Sequence, residues 1–244
     1  MVAAASGINL NPKTMPQGKG FIGLIDTAVQ EQSGFSPFLL PGESEAGPAN
    51  LPADSPTHGT GMFETMVDWM KDHPSKVMNF DVYGPNEMTT TFEVAKGVFD
   101  AVNSGANPIS MSLGGTGESD YLHQIIKEAA SKGVVFVAAA GNEPGKANTF
   151  PAAWPEVLAV TAGNANGQID SYANSGRFVD VIAPGTSYIT VNGQMWMIEG
   201  TSVSTAIISG LIAYNMNKYG ITAVAAERML LSSPPVGLTI TRSR

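Results

Sequence analysis

Cysteine is missing altogether from this 244-residue chain. Disulfides, thiol nucleophiles, iron–sulfur ligation and zinc ribbons are excluded with it. Imidazole is nearly as scarce. His58, His73 and His123 are the whole supply, too few for a multi-histidine metal site. Charged residues make up only 14%, and the net charge is −8 with no Lys/Arg cluster. A protein that tracks phosphates needs the opposite sign, so nucleic acid is set aside as a partner. The longest fully apolar run, 134–140, is far short of the roughly 20 residues of a membrane-spanning helix. The N-terminal stretch 1–15 has neither the basic start nor the long apolar core of a signal peptide. Cysteine usage leaves the compartment open.

What the chain does have is a high apolar content, 43%, punctuated by 27 glycines and 16 prolines. That composition belongs to a compact globular chain with many turns. Strand-like runs stand at 20–26, 76–83, 108–113, 134–140, 157–161 and 178–182. The run at 134–140 is apolar throughout, as a parallel strand buried on both faces requires. Helical patterns lie between them. The segment 58–73 places Met62, Met66 and Trp69 on one face and stops at Pro74. The segment 90–104 spaces Phe92, Ala95, Phe99 and Val102 along an inward stripe. The segment 119–132 turns Leu122, Ile125, Ile126 and Ala129 inward, and a small-residue helix spans 202–218. Asn192-Gly193 between 188–191 and 194–198 is a strong hairpin signal. The stretch 33–57, with Pro37, Pro41, Pro48, Pro52 and Pro56, reads as a long loop, and 233–244 as a tail. Such regular alternation predicts one α/β domain over 1–244, with a mostly parallel central sheet and helices on both faces.

In such sheets the functional groups gather where strands end. Four segments occupy that place: Asp26-Thr27, His58-Gly59-Thr60, Ala140-Gly141-Asn142 and Gly200-Thr201-Ser202. Singly, each reads as a turn or a helix cap. Together they describe one chemistry. A serine hydroxyl needs a base to take its proton, an imidazole can be that base, and a buried carboxylate can hold the imidazole in the right tautomer. A side-chain amide beside the nucleophile's own N–H stabilises the oxyanion.

These segments resemble the subtilisin-like serine proteases, the subtilase family. Gly23-Leu24-Ile25-Asp26-Thr27 is similar to its aspartate strand, and His58-Gly59-Thr60 to its histidine motif. Ser110-Met111-Ser112-Leu113-Gly114-Gly115 resembles its substrate-binding strand, and Val137-Ala138-Ala139-Ala140-Gly141-Asn142-Glu143 its oxyanion segment. Phe150-Pro151-Ala152-Ala153-Trp154-Pro155, Asp180-Val181-Ile182-Ala183-Pro184-Gly185 and Gly200-Thr201-Ser202 follow in the family's order. The resemblance implies a serine endopeptidase working through an acyl-enzyme. Ser202 would be the nucleophile, His58 the base and then acid, Asp26 the orienting carboxylate, and Asn142 an oxyanion donor. Ser112, Leu113 and Gly114 would bind an extended polypeptide substrate by strand addition. The resemblance also implies a cis bond at Phe150-Pro151 and a secreted or cell-surface location. A propeptide or further domains outside the chain stay open.

Three departures from the family pattern stand out: Gly61 in place of a second histidine, Val203 after the serine, and Ala206 in place of proline. Gly61 and Ala206 predict looser starts for the helices that aim His58 and Ser202. The short 71–75 connection leaves no room for the family's calcium-binding loop, so no cofactor and no calcium site are expected there. Acidic residues such as Glu43 and Asp54 keep a site elsewhere open. His73 and His123 read as solvent-facing. Gly18-Lys19-Gly20-Phe21-Ile22-Gly23 fits a dinucleotide pattern but precedes a strand, so its context fails. The rival reading is a catalytically weak relative that binds extended peptides or a protein partner along 112–115.

Overall fold

The computed structural model describes residues 8, 10–13, 20–32, 34–144, 148–164 and 166–241. Most of the N-terminal stretch 1–15, the first two positions of the dinucleotide-like pattern and the end of the tail lie outside these residues.

The first apolar run forms the central strand β1 (Phe21–Asp26), buried at every position. Its side chains alternate between two cores: Phe21 and Ile25 join one, Ile22 and Leu24 the other. Parallel strands flank it, β3 (Lys76–Asp81) on one side and β4 (Ile109–Met111) on the other. Beyond β3 lies β2 (Leu39–Ser44). Beyond β4 come β5 (Phe136–Ala139), β6 (Val157–Ala162) and β7 (Val181–Ala183), all parallel, and β10 (Thr239–Ile240) closes that edge antiparallel. From β1 the chain runs outward through β2 and β3, then returns to lay β4 on the opposite side. The strand order therefore reverses between β1 and β4, and in open α/β sheets the crevice at the carboxyl ends of such a pair is where ligands bind.

Helices cover both faces. On one, α2 (Thr91–Ser104) and α3 (Asp120–Ser131) bring Val94, Val98, Leu122 and Ile125 to the sheet. On the other, α1 (His58–Met70), α4 (Thr201–Tyr219) and α5 (Ala223–Ser232) contribute Met62, Met66, Ile207 and Ala226. Helix α4 is buried nearly all round, and its composition follows from that. The buried hydroxyls of Thr205 and Ser209 donate to the carbonyls of Thr201 and Thr205, at 2.8 and 2.9 Å, so they cost little to bury. Among the described residues no helix is long and apolar enough to cross a membrane. The hairpin β8 (Thr186–Val191) and β9 (Gln194–Glu199) turns at Asn192-Gly193 and leads directly into α4.

The α/β class and the mostly parallel sheet match expectation; several details do not. The 33–57 stretch is not all loop, because it contains β2. That strand is mostly exposed, and Pro41 and Gly42 sit at a break in its register, so it carries none of the apolar alternation that marks a strand. Part of the expected tail supplies β10, and α5 was not anticipated. Phe92 is 69% exposed rather than inward. The buried stripe of α2 runs through Val94, Ala95, Val98, Ala101 and Val102, one step around the helix. His123 is not solvent-facing: its ring stacks on Trp154 at 4.4 Å and pairs with Glu156 at 2.9 Å.

The two departures at the helix starts are both buried. Gly61 is buried, and a Cβ there would stand 3.1 Å from Ile198 Cδ1, so the small residue admits the β8–β9 hairpin against α1. Ala206 is likewise fully buried. The bonds at Asn107-Pro108 and Phe150-Pro151 are both cis, the second as the resemblance implied.

Candidate active site

Asp26 ends β1 at the strand-order reversal and is buried. Its Oδ1 accepts the N–H of Thr27 at 2.7 Å and faces Nδ1 of His58, also at 2.7 Å. His58 is the first residue of α1, and three contacts fix that start. Thr57 Oγ1 caps the helix by accepting from Thr60 N–H, and the Gly61 N–H reaches the Thr57 carbonyl. Gly59 N–H donates to Thr27 Oγ1 at 2.8 Å. Helix and strand end approach so closely that a Cβ at Gly59 would lie 2.1 Å from the Thr27 carbonyl oxygen, and only glycine fits. The imidazole side chain is 44% exposed, open to the crevice on its far side. The Asp26 charge raises the His58 pKa above its ordinary value, against the opposing pull of burial.

Ser202 stands in the first turn of α4. Its Oγ donates to the Ser112 carbonyl at 3.2 Å, and the Ser112 hydroxyl donates back to the Ser202 carbonyl at the same distance. The hydroxyl is therefore engaged with the strand that follows β4, and no hydrogen bond joins it to His58 in this state. Helix α4 has Gly200 at its N-cap and no side-chain cap. Thr201 N–H donates instead to Asn142 Oδ1 at 2.9 Å. Among the described residues the Ser202 N–H has no acceptor, and the Asn142 amide, with its oxygen taken, turns its N–H₂ toward Gly200. The Ser202 N–H and the Asn142 amide beside Gly200 thus both stand at the positive end of a 19-residue helix, a place suited to negative charge.

Ser112, Leu113 and Gly114 continue past the end of β4. Ser112 is buried while Gly114 is exposed, and among the described residues the backbone groups of Leu113 and Gly114 make no hydrogen bond. Gly115 then pairs with Phe150 in both directions, at 3.0 and 2.8 Å. Leu113 lines a cavity of about 200 Å³ together with Tyr83, Val94, Leu122, Phe150 and Trp154. Burial, and then the Asp26 charge, push the Tyr83 phenol up to about 12, so it stays neutral.

Several working residues have no role assigned to them in the sequence reading. Thr201 binds Asn142 through its N–H and accepts the Gly141 N–H on its hydroxyl at 3.2 Å. Thr27, Thr57, Thr149 and Asn174 also tie the loops together. Thr27, Thr57, Thr149 and Thr201 lie in or beside a motif, whereas nothing local marks Asn174. For metals, α1 ends at Met70 and β3 starts at Lys76, which keeps that connection short. Glu43, Glu45 and Asp100 bring carboxylate oxygens within 4.8 Å of one another, but the Lys96 ammonium already lies against Glu45 and Asp100.

The reversed strand order, the crevice at its carboxyl end and the residues gathered there are those of a subtilisin-like fold. The chain belongs to the subtilase family, whose sequence pattern matches residues 18–233. Among relatives, Subtilisin DY of Bacillus licheniformis is 29% identical over 253 residues, covering 95% of this chain and 91% of that protein. Subtilisin E of Bacillus subtilis (strain 168) is 34% identical over 146 residues, 57% of this chain; the match spans 38% of the relative's length. Of solved structures, a cold adapted subtilisin-like serine proteinase superposes with a TM-score of 0.72 at 29% identity, over 92% of this chain and 85% of the other. The prenylagaramide maturation protease PagA gives 0.73 at 25% identity, over 90% and 85%.

Proposed function

We propose that this chain is a serine endopeptidase that cleaves polypeptides through an acyl-enzyme on Ser202. The observation that carries the reading is the buried Asp26 carboxylate held 2.7 Å from His58 Nδ1. That contact fixes Nδ1 as the protonated nitrogen and leaves Nε2 free to take a proton. An extended peptide laid along 112–114 offers a backbone N–H to the Ser112 carbonyl. That N–H competes for the oxygen now held by the Ser202 hydroxyl, and the displaced hydroxyl turns to His58. Oγ then attacks the scissile carbonyl carbon while Nε2 takes its proton. Asn142 Nδ2–H and the Ser202 N–H stabilise the resulting oxyanion. His58 next protonates the departing amine, and a water activated by the same imidazole releases the acid.

Family membership supports a secreted or cell-surface location and a chemistry that needs no cofactor. The short 71–75 connection supports the lack of a calcium site there. A chelator that lowered the melting temperature by several degrees would overturn that last point. Casein and short peptide esters, offered to the purified chain and to Ser202→Ala, test the main reading. Cleavage by the first and none by the second is expected. A folded protein that bound extended peptides equally well with and without the hydroxyl, and cut neither substrate, would instead be a peptide-binding relative.

A further inference from the structure

Asn142 can donate to an oxyanion only if its backbone holds still, yet it sits in an exposed, irregular loop after β5. Such segments ordinarily fray. The geometry points to Asn174 as the positioning residue for the oxyanion donor, an inference that rests on the protease reading above.

Asn174 is 2% exposed and lies beneath the loop. Its backbone N–H donates to the Gly141 carbonyl at 2.9 Å. Its side-chain Oδ1 accepts the Glu143 N–H at 2.7 Å. One residue therefore grips the backbone on both sides of Asn142. The remaining amide group is used as well: Nδ2 donates to Thr149 Oγ1 at 3.1 Å, and that hydroxyl donates to the Ala140 carbonyl at 2.6 Å. The Asn174 carbonyl accepts from Thr161 Oγ1 at 2.5 Å, which ties the clamp to β6. The planar amide supplies, from two separate atoms, an acceptor for one backbone N–H and a donor to a hydroxyl. A carboxylate lacks the donor and would bring a negative charge toward the oxyanion; an aliphatic side chain lacks both. The approach is close. Gly141 has φ +104°, and a Cβ there would stand 2.6 Å from Asn174 Nδ2.

With Asn142 pinned to Thr201 in front and gripped from behind, its Nδ2 is held beside Gly200 and need not reorganise as charge develops, and such preorganisation is what makes an oxyanion donor effective. Asn174 touches no reacting atom and acts only through Asn142.

The test is a double-mutant cycle on peptide-ester hydrolysis, read with amide hydrogen exchange at Glu143. Asn174→Ala should lower kcat by roughly 10- to 100-fold with KM within about 2-fold, because the loss falls on the transition state. In the Asn142→Ala background the same change should cost less than about 3-fold, since the group being positioned is already gone. The Glu143 amide should exchange slowly in the parent chain and quickly in Asn174→Ala. Should Asn174→Ala not fold, Thr149→Val, which keeps shape and removes the bridging hydroxyl, should show the same non-additivity at roughly 3- to 10-fold. Equal kcat losses in both backgrounds, or a Glu143 amide that exchanges alike with and without the Asn174 side chain, would overturn the proposal. A parent chain that protects Glu143 but hydrolyses no ester would refute the protease reading while leaving the clamp itself standing.

Discussion

Two helices begin in the crevice, and they begin differently. At the start of α1 the three N–H groups after His58 are occupied: Gly59 donates to the Thr27 hydroxyl, Thr60 to the Thr57 hydroxyl, and Gly61 to the Thr57 carbonyl. At the start of α4 Gly200 offers no side-chain cap, Thr201 donates to Asn142, and the Ser202 N–H has no acceptor among the described residues. The closed start holds an imidazole whose orientation must not vary. On the proposed mechanism, the open start keeps a donor free for a charge that exists only during reaction. A cap is worth about 1 kcal/mol of helix stability, so α4 gives up stability at the point where the proposed mechanism needs an unpaired N–H. It recovers that by burial along nearly its whole length.

The contrast can be broken at either helix. The largest effect is expected from Asp26→Asn, which removes the charge that orients and activates His58. It should lower kcat by about 10⁴-fold, the order seen when a triad carboxylate loses its charge. It should also move the acid limb of the rate profile. In the parent chain Asp26 raises the His58 pKa, so activity, which needs the neutral ring, should half-develop above the ordinary value of about 6.5. In Asp26→Asn the midpoint should fall. An unmoved midpoint in kcat/KM against pH would count against the pair. The same pair sets a stability trend of definite sign. With the folded pKa raised, the protonated pair stabilises the fold fully below about 6.5 and the contribution is lost as pH rises through the folded value.

A smaller loss is expected from opening the second site further. Asn142→Ala should cut kcat by about 10²–10³-fold and leave KM nearly unchanged, the range known for removing one oxyanion donor from a subtilisin. A rise in KM at constant kcat would mean that Asn142 merely binds substrate. The smallest effect should come from Thr57→Ala, which opens the closed start. It should cost about 1–2 kcal/mol and a few degrees of melting temperature, with only a modest change in rate. A large rate loss at unchanged melting temperature would show that the α1 cap acts on chemistry rather than stability.

The candidate site was more legible in the sequence than its supports. Asp26, His58, Asn142 and Ser202 each sit in a motif whose residues are constrained together, so the four places could be read in order along the chain. The parallel strands were equally plain, because burial on both faces leaves apolar runs such as 134–140. The edge strand β2 was not, since an exposed strand interrupted by Pro41 and Gly42 carries no alternation. Phe92 misled because aromatic side chains suggest a core face, whereas the small residues Ala95 and Ala101 mark where α2 meets the sheet. Asn174 and Thr149 were illegible for a different reason. Their partners lie 31 and 25 residues away in sequence, and nothing local distinguishes a buried clamping amide from an ordinary turn asparagine.

The central claim is that Ser202 is activated by His58 for attack on a carbonyl. Intact mass and peptide mapping after treatment with a fluorophosphonate test it most directly, because unactivated serines react negligibly. One adduct per chain, located on Ser202 and lost in both Ser202→Ala and His58→Ala, is the predicted result. A correctly folded chain that takes up no adduct, or takes it elsewhere, would contradict the account.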